Sequence, residues 1–258
     1  MKDKFSLRDK TVILTGAAGG IGFAIAKSLA EQGAKMVLID SQKSLIKICT
    51  QEIKNTEYKP FCLILDITKE ITMKKAVDRV MKKWGRVDVL INCAGVNVRK
   101  RIDKYTGTDW DRVMRVNLKA AFQLTNIVSK VMKKQKYGRV INIASIQAQI
   151  CWNGKGKFSL APYCASKAGL VSITKAFALD LAPFNITVNA ICPAFVDTEL
   201  VRVLKEDKVL YEDIISRTPL GRFAKTSEIV GPVIFLASDA SSFITGHALF
   251  VDGGWLIQ

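Results

Sequence analysis

The sequence predicts a single α/β domain, a doubly wound parallel sheet of seven strands with helices on both faces. Three observations lead there. Short apolar stretches alternate with helix-periodic ones along the chain. The strand-like stretches are apolar at successive positions, as strands covered on both faces are. No Pro/Ser-rich linker, repeat or low-complexity segment divides the 258 residues. Residues 1–258 are therefore read as one domain, at a length that one α/β unit reaches without splitting.

The elements follow in order. TVILTG, ending at Gly16, is the first strand, and Ile21 to Gln32 is its helix. KMVLID (35–40) is the second strand and 43–54 the second helix. FCLILD (61–66) is the third strand. Residues 70–83 form a helix whose apolar side is Ile71, Met73, Ala76, Val77, Val80 and Trp84. VDVLINCAG is the fourth strand, and a long helical zone covers 109–135. GRVINIAS (138–145) is the fifth strand. Pro162 to Ala182 is a helix with proline near its start, where the missing amide hydrogen costs nothing. NITVNAIC is the sixth strand, 198–217 and 226–238 are helical, and HALFVDGG is the last strand.

Composition excludes several classes of function. Apolar residues make up 49% of the chain, too many for a disordered chain. No uninterrupted apolar run is long enough to span a bilayer, and Val12 to Leu14 is too short for a signal-peptide core. The six cysteines contain no C-x-x-C, and with the lone His247 they form no metal-binding pattern. They are expected to be reduced thiols in the cytoplasm. The formal charge of +16 invites a nucleic-acid reading. The lysines are dispersed, however, and the densest runs, VRKR at 98–101 and MKKQK at 132–136, are short. No nucleic-acid role is expected.

The first strand runs into TGAAGGIG (15–22). Gly16, Gly20 and Gly22 permit a tight strand-to-helix turn and let a pyrophosphate reach the backbone and the helix N-terminus. This predicts a Rossmann-type dinucleotide site. Asp40 ends the second strand, where a carboxylate accepts hydrogen bonds from the adenosine ribose and repels a 2′-phosphate. NAD is the expected cofactor, with NADP the weaker alternative. Asp66 ends the third strand in the same way, facing the adenine.

Tyr163 and Lys167 share a helix face. Two unit charges ~5 Å apart at an effective dielectric of ~20 interact by roughly 3 kcal/mol, which would bring a phenol from about 10 towards about 8. A base poised there is useful near neutral pH.

Taken in order, these motifs resemble the short-chain dehydrogenase/reductase family over nearly the whole chain. TGAAGGIG matches its TGxxxGxG. LDI at 65–67 matches its adenine-pocket segment, and NCAG at 92–95 its NNAG. VNL at 116–118, NIAS and YCASK carry its asparagine, serine and Tyr-x-x-x-Lys. PAFVDT at 193–198 matches its nicotinamide-side loop, and VDGG at 251–254 the end of its last strand. The resemblance implies an oxidoreductase acting on a secondary alcohol or ketone. Tyr163 would be the acid/base, Lys167 would lower its pKa and hold the nicotinamide ribose, Ser145 would bond the reacting oxygen, and Asn117 would hold a water. Ile21, Ile67, Asn92, Ala94, Gly95, Pro193, Val196 and Thr198 join the cofactor set by the same carry-over. The resemblance also implies a homotetramer built on the helices at 109–135 and 162–182.

Three features depart from the family pattern. Cys93 replaces an asparagine, and Ala194 replaces a glycine after Pro193. Seventeen residues separate Ser145 from Tyr163, a longer interval than the family commonly has. The added length lies within CWNGKGKF and is expected to form a mobile rim or lid over the pocket. FSL near the N-terminus, RKR after the fourth strand, SIQ at 145–147 and the GHALFVDGGWL ending are most similar to gluconate 5-dehydrogenases and 2-deoxygluconate 3-dehydrogenases. That points to a small polyhydroxylated acid as substrate, with Arg99 or Arg101 gripping the carboxylate and Gln147 bonding a hydroxyl. A 3-oxoacyl-carrier-protein reductase, normally NADP-linked, is the alternative. A non-catalytic nucleotide sensor or scaffold is the alternative from another class.

Overall fold

The computed structural model describes residues 3–53 and 56–257. Its centre is a parallel sheet of β1 (Thr11–Thr15), β2 (Lys35–Asp40), β3 (Phe61–Ile64), β4 (Val89–Asn92), β5 (Gly138–Ile143), β6 (Ile186–Pro193) and β7 (Ala248–Val251), in the order β3-β2-β1-β4-β5-β6-β7. Neighbouring β1 and β4 run in register from Val12↔Val89 to Thr15↔Asn92. The chain order reverses between these two strands, and a crevice opens at their carboxyl ends.

Successive strand residues point to opposite faces, so apolar residues in unbroken runs supply two cores. Val12 and Leu14 enter one core with Ile25 and Leu29 of α1 (Gly20–Glu31) and with Ile229 and Val233 of α9 (Ser227–Ala237). Ile13 enters the other. There it meets Met73, Val77 and Val80 of α3 (Glu70–Trp84), Leu124 and Val128 of α5 (Ala120–Gln135), and Ala178 and Leu181 of α6 (Ala161–Leu181). Ile71, expected in the apolar side of α3, is instead exposed. It lies in the first turn of the helix.

Three expected helices are divided. The stretch 43–54 contains α2 (Leu45–Lys47), which continues as a π-turn over Ile48–Glu52; residue 54 lies outside the described residues. The zone 109–135 consists of α4 (Gly107–Met114), a π-turn over Arg115–Lys119, and α5. Thr106 and Asp109 form a capping box that starts α4 two residues earlier than expected. In 198–217, α7 (Arg202–Glu206) stops before Asp207, whose carboxylate accepts from the Val209 and Leu210 amides and so begins α8 (Lys208–Ser216).

Cys93, Cys151, Cys164 and Cys192 are free thiols. Cys62, on edge strand β3, is disulfide-bonded, which corrects the expectation that every cysteine is reduced. Among the described residues no helix is long and apolar enough to cross a membrane, and no group of His, Cys, Asp or Glu is placed to hold a metal.

Candidate active site

A cavity of about 680 Å³ lies along the carboxyl ends of the strands. Gly16, Gly20, Ile21, Gly22, Asp40, Asp66 and Ile67 line one half. Ala94, Gly95, Arg99, Ser145, Tyr163, Lys167, Pro193, Val196 and Thr198 line the other. Most of the residues singled out from sequence therefore face one space.

The glycine turn is dictated by close approach. Gly16 has φ +69°, and a Cβ there would stand 2.7 Å from Ala94 Cα; a Cβ on Gly22 would stand 2.0 Å from the Gly16 carbonyl oxygen. Helix α1 starts at this turn with no side-chain cap and no acid in its first turn. Its first amides and positive dipole end are thus left for an anion. Asp40 is buried, and its carboxylate accepts from the Ala18 amide at 2.9 Å and the Gln42 amide at 3.0 Å. This fixes an acid at the end of β2, against the turn. Asp66 accepts from the Thr68 amide, which holds its carboxyl below the usual range. The glycine cradle, the uncapped helix and the fixed acid suit a dinucleotide with free ribose hydroxyls.

At the other end, Ser145 leaves β5 and accepts from the Gln147 amide at 3.2 Å. Tyr163 and Lys167 stand one turn apart on α6, where Pro162 occupies the first turn. Lys167 is buried, donates to the Ile143 carbonyl at 2.7 Å and stands 5.6 Å from the centre of the Tyr163 ring. Burial pushes the phenol up to about 12, against the hydrogen bond from Ser145 and the charge of Arg99. Burial likewise brings Lys167 down to about 8. The expected lowering of Tyr163 towards 8 is thereby corrected. The ammonium is turned to a backbone carbonyl, and desolvation outweighs the favourable charges.

Asn117 lies in the π-turn between α4 and α5. Its side chain accepts from the Val96 amide at 2.8 Å and donates to the Val96 carbonyl at 2.9 Å and to Ser166 Oγ at 3.1 Å. The side-chain groups are committed to clamping the loop after β4, beside Gly95. A π-turn leaves a main-chain carbonyl without its helical partner, so a water here would rest on the backbone. Asn92 does not line the large cavity. It donates to Thr125 Oγ1 at 3.1 Å and to Asn142 Oδ1 at 2.8 Å, and Asn142 donates on to Thr174. This buried polar chain ties β4 and β5 to α5 and α6.

The basic run after β4 divides. Arg99 turns inward, donating to the Leu200 carbonyl at 3.0 Å, and its buried Nε has no partner among the described residues. Arg101 turns outward to Asp103, 73% exposed, because the chain bends into a 3-10 turn at Ile102–Lys104. Gln147 is also outside the cavity; its carbonyl oxygen accepts from the Trp152 amide at 3.0 Å and from the Cys164 thiol. Arg101 and Gln147 are thus removed from the expected substrate contacts. Ala194 avoids positive φ, and its amide donates to the Val251 carbonyl at 3.1 Å, so the loop needs no glycine there.

The segment 151–159 is at the rim but is not loose. Ser159 pairs with Lys100 in an antiparallel bridge, the Tyr105 hydroxyl bonds the Ser159 carbonyl at 2.7 Å, and Lys157 pairs with Asp207. The residues that cover the cavity are Glu199, Leu200, Val201 and Val203. Sequence reasoning overlooked them; the signal was an apolar helix start directly after the PAFVDT loop.

Comparisons with known proteins agree with this geometry. The model of the family described as enoyl-(acyl carrier protein) reductase matches residues 16–256. The 5-keto-D-gluconate 5-reductase of Escherichia coli K12 is 34% identical over 257 residues, covering 100% of this chain and 99% of that protein. The 3-oxoacyl-[acyl-carrier-protein] reductase of Thermotoga maritima is 37% identical over 251 residues, covering 97% of this chain and 99% of that one. The crystal structure of a gluconate 5-dehydrogenase from Burkholderia cenocepacia J2315, in complex with NADP and tartrate, is similar with a TM-score of 0.92 at 33% identity, over 99% of this chain and 98% of that one.

Proposed function

The chain belongs to the short-chain dehydrogenase/reductase family, a family of oxidoreductases, and from that premise we propose that it interconverts a secondary alcohol and a ketone on a sugar acid or polyol, of the gluconate/5-ketogluconate kind, with NAD(H). One observation carries the reading. A phenol hydrogen-bonded by a serine, and a half-buried arginine whose buried Nε has no partner among the described residues, face the same cavity as the glycine turn.

Gly16, Gly20, Ile21 and Gly22 hold the pyrophosphate, Asp40 the adenosine ribose, and Asp66 with Ile67 the adenine. Ala94, Gly95, Pro193, Val196 and Thr198 enclose the nicotinamide side, where Asn92 acts only by supporting β4. Bound NAD(H) supplies or takes up the hydride. In reduction Ser145 donates a hydrogen bond to the carbonyl oxygen and polarises it. Tyr163 gives that oxygen its proton, and in oxidation it takes the alcohol proton back. Lys167, anchored on Ile143, holds the nicotinamide ribose hydroxyls. Asn117 keeps Gly95 and Val96 in place, and the π-turn backbone seats a water that returns protons to the phenol. Arg99 supplies donors to the substrate carboxylate. A relative whose crystal structure contains tartrate, a hydroxylated dicarboxylate, is in keeping with an acid substrate.

A 3-oxoacyl-carrier-protein reductase is the second reading, favoured by the Thermotoga maritima relative and by the apolar wall at Leu200, Val201 and Val203. Asp40 opposes the NADP such enzymes normally use. The protein is further proposed to act in the cytoplasm as a homotetramer, with Phe122 on α5 and Leu179 on α6, both exposed in the single chain, covered by neighbours. The test is NADH consumption against keto-sugar acids, polyol ketones and acetoacetyl thioester. Reduction of the acids first supports the assignment, preference for the thioester supports the second reading, and no turnover on any ketone leaves only nucleotide binding.

A further inference from the structure

The long segment between Ser145 and Tyr163 touches the cavity cover without lining the cavity. Its centre is Trp152, which is 6% exposed although it follows an exposed cysteine. The Trp152 amide donates to Gln147 at 3.0 Å, and the indole Nε1 donates to Asp213 Oδ2 at 2.8 Å. Asp213 is itself a buried acid on α8. It also receives Arg217 Nε at 3.1 Å and has Lys155 Nζ at 3.7 Å. Burial raises the Asp213 carboxyl, but the bonds from Trp152 and Arg217 outweigh it and hold the group below its usual range. The charge is retained, so its hydrogen bonds are of the stronger, charge-assisted kind.

The indole also packs edge-on against Phe195, with ring centres 5.1 Å apart. Phe195 sits on the loop that leaves β6 and leads to the cover. Val201 and Leu204 of the cover belong to the same apolar cluster as Trp152 and Ile214. The segment thus grips both the loop and the helix that bracket residues 199–206. On the cavity side Arg99 donates to the cover at the Leu200 carbonyl, and Arg99 is the group assigned to the substrate carboxylate.

We infer that Trp152 and Asp213 are positioning residues for substrate: their bond, made possible by the added segment, fixes the cover over the cavity so that Arg99 is free to turn from Leu200 to the substrate acid. The inference rests on the reading that this cavity takes the ketone substrate. A cover already held from outside need not be ordered at each binding event, and that lowers KM rather than raising kcat.

Trp152→Phe keeps an aromatic ring in the packing and removes the N–H donor. Asp213→Asn keeps an oxygen acceptor but removes the charge. With whichever ketone the parent reduces, each is expected to raise KM roughly tenfold, the scale of one lost charge-assisted bond, with kcat within about threefold and NADH affinity within about twofold. Unchanged KM in a folded Trp152→Phe variant overturns the inference. So does an equal loss of NADH affinity, which would make the bond merely structural. A second measurement does not depend on turnover. Amide hydrogen exchange over 199–216 is expected to quicken about tenfold in Trp152→Phe while β1 and α1 stay protected. Exchange unchanged over 199–216, or quickened everywhere, contradicts the latch. If the parent reduces no ketone, the substrate reading fails while exchange still decides the latch.

Discussion

The proposed chemistry turns on a phenol whose proton is held more tightly than its neighbours suggest. Tyr163 is pushed up to about 12 by burial, and Lys167 down to about 8. Ketone reduction needs the protonated phenol, so its rate should stay level between pH 6 and 8. Alcohol oxidation needs a phenolate, whose fraction climbs with pH all the way to about 12. It should therefore rise steadily above pH 7, and paired pH profiles of kcat/KM check this. An oxidation rate that levels off below pH 8 would mean that bound cofactor restores the depressed phenol expected from the Tyr-x-x-x-Lys spacing. Tyr163→Phe should retain NADH affinity and lose turnover by roughly 10²–10⁴-fold; stopped-flow binding and steady-state rates separate the two. The spacing of Tyr163 and Lys167 was legible because four residues make one helical turn. The direction of the shift was not, because desolvation depends on what the fold lays over the helix. Arg99 and Arg101 make the same point: two identical side chains in one run are separated only by the bend at Ile102.

Among the elements, seven strands and the long helices were readable because each needs two apolar faces or one apolar stripe. Their interruptions were not. The π-turns at 48–52 and 115–119 keep ordinary helical composition, and Asp207 divides a helix by a local cap on two amides. The added segment at 151–159 looked like a free rim from its glycines, Gly154 and Gly156, but its charges find partners on α8 that lie about fifty residues further along the chain. The glycine turn is the element most open to a direct check. Gly22→Ala forces a Cβ to 2.0 Å from the Gly16 carbonyl oxygen. It should cost about 1–3 kcal/mol of stability, lower Tm by several degrees and weaken NADH binding more than tenfold. Gly231→Ala, in the middle of α9 with nothing within 4 Å of the new methyl, should instead stabilise by roughly 0.5–1 kcal/mol. Calorimetry and NADH titration of the two variants give opposite outcomes if the first glycine serves close approach and the second only the chain's freedom.

At the scale of the molecule, a sheet with its order reversed between β1 and β4 brings a nucleotide half and a chemical half to one crevice. In the proposed reading, the acid at the end of β2 sets cofactor choice. Asp40 is fixed by two amides and cannot swing away from a 2′-phosphate. The resulting repulsion, screened by solvent at the cavity mouth, should favour NAD(H) over NADP(H) by roughly tenfold or more in kcat/KM. Equal values would mean that the 2′-phosphate finds a cation such as the exposed Lys43. In the chemical half, the proposed choice of substrate rests on Arg99. The measurement that tests it most directly is kcat/KM with NADH for 5-ketogluconate, its uncharged sugar analogue and acetoacetyl thioester, in the parent and in Arg99→Ala. The account predicts that the parent prefers the acid by roughly tenfold or more and that Arg99→Ala loses most of this preference while keeping its rate on the uncharged analogue, as the removal of one charge-assisted contact requires. A parent that reduces the uncharged sugar or the thioester better than the acid, or an Arg99→Ala variant that keeps the full preference, would contradict it.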